Sequence, residues 1–151
     1  MPQYAEWGEK AAEIIFKRIA EKSLNGIYVL GSGPNQATAL MGALGIQESA
    51  KIAAAGLSAA QFDHGPKEAS RDAVVISVEA PGPAFARTQH ILKTAQNAGA
   101  TTFQFHEDGL AEHLTPITHI IPLFYLMHFL IEKLGIQEIF TVGGKVTQVN
   151  K

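Results

Sequence analysis

Two side chains in this 151-residue sequence stand where acid–base chemistry could use them: Glu48 and, sixteen positions on, His64. Glu48 interrupts an apolar, small-residue stretch from Leu40 to Ala55. A carboxylate there is either solvated on an outer helix face or held in a site where burial raises its pKa. His64 precedes Gly65-Pro66, so a constrained loop either presents the imidazole or merely carries it on the surface. A third element is Gly31-Ser32-Gly33-Pro34-Asn35, between an apolar run and an Ala-rich helix. It is either a plain strand-to-helix turn or an anion seat, in which free backbone N–H groups at Gly31, Ser32, Gly33 and Asn35 and the helix dipole favour negative charge. It is neither a P-loop, lacking Gly-Lys-Ser/Thr, nor a dinucleotide fingerprint, having Gln36 at the third glycine position.

The elements that must position these residues follow from periodicity. Trp7, Ala11, Ile14, Ile15 and Ile19 recur at helical spacing and predict an amphipathic opening helix that closes near Asn25-Gly26. Ile27–Leu30 reads as a short buried strand, and residues 35–52 as a long helix. Ala53–Gly56 reads as a weak strand, and Ser58 as the N-cap of a short helix ending at His64. Ala73–Val78 is the clearest strand, broken by Pro81-Gly82-Pro83. A helix over 84–98 closed by Gly99 and a strand over 101–105 follow. Thr118–Ile121 reads as a last strand, with Pro122 in the first turn of a helix carrying Leu123, Leu126, Met127, Leu130 and Leu134. That stripe serves either the core or a dimer contact. Strands alternating with helices predict an α/β, three-layer, doubly wound domain with a four- to five-stranded parallel sheet. Ligands of such sheets sit beyond the carboxyl ends of the strands, where residues 31–35, the loop ending at His64, and residues 79–83 should converge.

Composition narrows the function classes. The length suits one domain, with a core over about 27–135, an opening helix over 1–25 and a C-terminal arm over 136–151. The net charge of −2, without a basic run, argues against nucleic acid. Absence of cysteine removes thiolate nucleophiles, disulfides and cysteine zinc sites. His90, His106, His113, His119 and His128 show no metal-ligand spacing, so neither metal nor cofactor is expected. The first ten residues have no signal-peptide core, and the apolar run Ile120–Ile131 is short for a bilayer. A cytoplasmic protein without membrane partners is the expectation.

Taken together, Ala43-Leu44-Gly45-Ile46-Gln47-Glu48 and the later His64-Gly65-Pro66 resemble the sugar isomerase (SIS) domain family. The likeness is to the second SIS domain of the isomerase half of glucosamine-6-phosphate synthase and of fructosamine-phosphate deglycases. It covers about residues 27–135, with Lys145-Val146-Thr147 family-like in the tail. The resemblance implies a phosphosugar-binding domain of an aldose–ketose isomerase or deglycase-like enzyme. Glu48 would move a proton between C1 and C2 through an enediol(ate). His64 would assist ring opening from a partner subunit, and Lys145 would form a Schiff base with the open-chain ketose. The implied partners are a sugar phosphate and either a second copy, as a homodimer, or a separate SIS domain. Two departures set it apart: Gly45 replaces the family's lysine, and Glu79-Ala80-Pro81-Gly82 replaces the Ser/Thr-rich phosphate loop. The chain thus resembles the second half of such an enzyme without the first. A non-catalytic sugar-phosphate sensor or a dimerisation module is the alternative.

Overall fold

Apolar runs bounded by glycine, proline or polar residues become the strands of one sheet. The computed structural model describes residues 2–142. Its strands are β1 (Ile27–Gly31), β2 (Ala54–Leu57), β3 (Val74–Glu79) and β4 (Thr101–His106). They are all parallel, in the order β2-β1-β3-β4. Every residue of β3 is buried, as expected of a central strand covered on both faces.

The helices are α1 (Pro2–Ala20), α2 (Asn35–Ala50), α3 (Ala59–Asp63), α4 (Phe85–Asn97) and α5 (Thr115–Leu134). Short 3-10 turns occupy Pro66–Ala69 and Glu112–Leu114. α1, α2 and α5 cover one face of the sheet around Ile15, Val29, Ile46, Ile76, Leu123 and Leu126. α3 and α4 cover the other around Leu30, Phe62, Val75, Ile91 and Leu92. The expected three-layer α/β architecture is therefore present, with four strands. α3 begins as Ser58 predicts: its Oγ accepts from Gln61 N at 3.2 Å, while Ser58 N donates to Gln61 Oε1 at 2.8 Å.

The chain differs from expectation at Thr118–Ile121, which is helix rather than strand. The buried stripe Thr115, His119, Pro122, Leu123, Leu126, Met127, Leu130 has helical period from its first member, so the helix starts about two turns before Pro122. Pro116 takes the first turn, and Pro122 lies inside the helix. With the preceding 3-10 turn, α5 is the one described helix long and apolar enough to cross a bilayer, at mean hydropathy 1.6. Here α1 and α2 cover its apolar stripe, so Leu123, Leu126, Met127 and Leu130 belong to the core. Gly42 and Gly45 admit α5 against α2. A Cβ on Gly42 would lie 2.7 Å from Leu123 Cδ1, and one on Gly45 would collide with Met127 Sδ.

Candidate functional site

The chain passes from β1 outward to β2, then returns across β1 to β3. The carboxyl ends of β1 and β3 are therefore the topological switch point, where a crevice opens in doubly wound sheets. The crevice found there is lined by Ser32, Val78, Glu79, Ala80, Ala84, Phe85, Thr88 and Glu112. Gly33 adopts a left-handed conformation (φ 57°) that turns the chain from β1 into α2. Ser32 Oγ accepts from Ala59 N at 3.4 Å, tying this turn to the start of α3.

Glu79 ends the largely apolar strand β3 with a carboxylate that is only 3% exposed. Its Oε1 accepts from Ser77 Oγ at 2.8 Å, and its Oε2 from Gln89 Nε2. Burial pushes its pKa above the ordinary carboxylate value, and the two hydrogen bonds oppose that rise. His106 lies opposite Glu79 in the β3–β4 register, its Nε2 3.0 Å from Asp108 Oδ1. Glu112 reaches the crevice from the other side, its carboxylate set between Gly33 and Gly82. Neither Lys nor Arg is among the lining residues.

Beneath the glycine turn lies a buried polar network. Asn35, 1% exposed, donates through Nδ2 to Thr115 Oγ1 at 2.7 Å. Its Oδ1 accepts from Thr38 Oγ1 and faces His119 Nδ1, each at 3.3 Å. Thr115 Oγ1 in turn donates to the Glu112 carbonyl at 2.6 Å. His119 is fully buried, and desolvation lowers its pKa to about 4, so the ring is neutral and Nδ1–H donates to Asn35. The Asn35 side chain is thus turned inward, and its backbone N–H, expected to be free, donates to the Ser32 carbonyl at 3.2 Å, as Gln36 N does to the Gly33 carbonyl at 3.1 Å.

Glu48 and His64 lie elsewhere. Glu48 is exposed near the end of α2, thirteen residues and roughly 20 Å along the helix from Asn35. It lines an open groove with Leu44, Gln47, Lys51 and residues 139–142. Lys51 Nζ closes the groove's end, donating to the Glu48 carbonyl at 2.8 Å and to the Ile139 carbonyl. His64, also exposed, caps α3. The neighbouring Asp63 carboxylate, accepting from Lys67 Nζ at 2.8 Å and Arg87 at 3.4 Å, steadies its loop. Gly65 is extended (φ 179°) with open space around it, so no steric demand for glycine exists there. No hydrogen bond, ion pair or crevice among the described residues joins Glu48 to His64. Lys145 lies outside the described residues. Sequence reasoning placed Glu79 at the right strand end without seeing that it is buried. It passed over Glu112 and the Asn35–Thr115–His119 network, for which Thr115-Pro116 as a helix start was the available signal.

A parallel sheet of order β2-β1-β3-β4, with a glycine turn at its switch point, is the architecture of the sugar isomerase domains. The chain is a relative of the SIS domain family. In particular, it is 31% identical over 118 residues to the isomerizing glutamine–fructose-6-phosphate aminotransferase of Pyrococcus horikoshii. That match covers 68% of this chain but only 20% of the relative, so the chain spans about a fifth of that protein's length. Among solved structures, glucosamine-6-phosphate deaminase of Thermotoga maritima superposes with TM-score 0.69 at 19% identity, over 89% of this chain and 42% of that one. The C-terminal domain of the glucosamine-fructose-6-phosphate aminotransferase of Francisella tularensis does so with TM-score 0.68 at 18% identity, over 84% and 42%. No protein-family model matches the chain.

Proposed function

We propose that this chain is a phosphosugar-binding domain of an aldose–ketose sugar-phosphate isomerase or deglycase-like enzyme, working with a second SIS domain. The observation that carries the reading is the 118-residue match to an isomerizing aminotransferase of which the chain spans a fifth. Glu48 is the proposed proton carrier between C1 and C2. A groove-lining carboxylate suits that task because one base can take a proton from one carbon and return it to its neighbour. His64 is the proposed ring-opening residue, supplied to another subunit's Glu48, and Lys145 the proposed Schiff-base lysine. Gly31, Ser32, Gly33 and Asn35 are the proposed sugar contacts, and because they lie roughly 20 Å along α2 from the same chain's Glu48 they would serve, like His64, another subunit's Glu48. Leu40, Met41 and Leu44 on α2, with Ile117 and Phe124 on the adjacent α5, leave exposed apolar side chains that favour a second copy or a separate SIS domain as cover. A cytoplasmic setting accords with this reading.

The test is an isomerase assay on fructose 6-phosphate, with this chain alone and with a first SIS domain added in trans. Turnover is expected only in the mixture, and Glu48→Gln should lower it by roughly 10²–10⁴-fold. Robust turnover by the chain alone, indifferent to Glu48→Gln, would overturn the assignment of Glu48. A second reading, a sugar-phosphate sensor without turnover, is favoured by Gly45, where a lysine would collide with Met127.

A further inference from the structure

From Asn35 to Gln47 the helix α2 holds no charged residue, although Ala37, Leu40, Met41, Leu44 and Gln47 are exposed. A helix without a charged face is ordinarily a covered one, yet Leu40, Met41 and Leu44 are 54%, 52% and 48% exposed. α5 runs alongside, with Leu123 against Gly42 and Met127 against Gly45, so its exposed Phe124 stands level with the middle of this stripe. Of the large apolar side chains exposed among the described residues, only Phe16 lies off α2, α5 and the segments flanking α5. Apolar exposure gathered in this way marks an interaction face.

The spacing of the face says what covers it. Ala37, Met41, Leu44, Glu48 and Lys51 follow one another at alternating steps of four and three, the seam of two packed helices. The seam is apolar from Ala37 to Leu44 and charged only at its far end, at Glu48 and Lys51. A parallel two-fold pair would stack Glu48 on Glu48 and Lys51 on Lys51. An antiparallel pair, with its two-fold level between Met41 and Leu44, sets Met41 against the second copy's Leu44. It sets Glu48 against the second copy's Ala37, whose methyl group leaves the carboxylate room. Apolar residues then meet at the centre and the charges fall at the rim, and one patch serves both copies, as a two-fold interface requires.

We infer that a second copy of this chain covers the face, the two α2 helices packing antiparallel about a two-fold axis between Met41 and Leu44, with each Glu48 beside the other copy's Ala37. Gln36, next to Ala37, donates through Nε2 to Gln61 Oε1 at 3.2 Å, three residues before His64. The pairing thus brings Glu48 to the end of α2 that it cannot reach in its own chain, the end tied to the segment carrying His64. What Glu48 and His64 do there rests on the phosphosugar reading, whereas the pairing itself does not.

The chain has no cysteine of its own, so introduced thiols report on the pairing directly. Sedimentation equilibrium of the full chain over roughly 1–100 μM should give a dimer. Leu44→Glu, at an exposed position, should weaken that dimer roughly 30-fold or more with the circular dichroism spectrum unchanged. Ala37→Cys and Glu48→Cys, mixed and treated with a short bismaleimide, should form a covalent dimer. Neither variant should do so alone, because like positions lie eleven residues, roughly 16 Å, apart along the paired helices. A chain that is monomeric throughout, or a dimer indifferent to Leu44→Glu, would overturn the inference. So would Glu48→Cys linking to itself, which marks a parallel pair, or a chain that stays monomeric until a first SIS domain joins it through this face. That last outcome leaves the phosphosugar reading standing. A cross-linked dimer that neither binds fructose 6-phosphate nor turns it over with a first SIS domain added keeps the pairing and refutes that reading.

Discussion

The two ends of α2 are built on opposite terms. At its N-terminus the polar side chains interlock: Asn35 bonds with Thr115, Thr38 and His119, and Ser77 and Gln89 with Glu79, all beneath or beside the crevice. Toward its C-terminus Glu48 is exposed, and among the described residues neither its carboxylate nor the His64 ring makes a side-chain hydrogen bond. Buried polar groups must be bonded to be tolerated, so the crevice end is inseparable from folding. The Glu48 side chain, unlike its buried neighbours Ile46 and Ala50, is displayed rather than packed. Polar residues that look equally functional in sequence thus divide into those the fold needs and those it merely displays.

The largest effect that would sharpen this contrast lies at His119. Its neutral ring is held in the fold down to about pH 4, whereas in the unfolded chain it takes up a proton near pH 6.5. Between those values the unfolded state binds the extra proton, so stability falls as pH falls through the window, by about 3 kcal/mol in all. Urea unfolding from pH 7 to pH 4 should show this loss in wild type but not in His119→Gln. Parallel profiles for the two proteins would break the comparison. Asn35→Ala comes next, because it strands Thr38, Thr115 and His119. A loss of about 2–3 kcal/mol is expected in denaturant midpoints at pH 7.

Glu79→Gln should have a smaller effect of opposite sign. Burial raises the Glu79 pKa, so its ionised form is disfavoured in the fold. The destabilisation develops as pH rises from the ordinary carboxylate value of 4.5 through the raised one, and is absent below it. The variant should therefore melt higher than wild type at pH 7 and alike at pH 4. A variant that melts lower at pH 7 would mean the charged form is well accommodated. The smallest effects belong to Glu48→Gln and His64→Asn, whose unfolding free energies should stay within about 0.5 kcal/mol of wild type. A loss of 2 kcal/mol or more at either would place that residue on the structural side of the divide.

Much of the architecture was legible because its signals are local. The β3 run Val74–Val78, the Ser58 cap and the glycine turn before α2 each carry their geometry in a few adjacent residues. The helix start at Thr115 was misread because Thr118, Ile120 and Ile121 have strand-like side chains, and because Pro122 resembles a beginning. Packing of α5 between α1 and α2 overrides both. The crevice was legible only as a place. That Glu79 is buried, that Asn35 turns inward and that Glu112 lies on Gly33 depend on contacts between residues up to 84 apart, which no spacing rule displays. The departure at Gly45 is intelligible only beside Met127.

The contact between α1 and α5 joins the first and last described helices, with Ala11, Ala12 and Ile15 in the same core as Leu126 and Leu130. A nascent chain leaving the ribosome therefore carries α1 with its apolar stripe uncovered until α5 emerges, more than a hundred residues later. Through most of synthesis that face of the sheet has α2 but not α5, and a holding chaperone would find the α1 stripe exposed. Stalled chains ending before Thr115 should stay sensitive to protease within α1, and protection should arrive abruptly once Leu130 has cleared the tunnel.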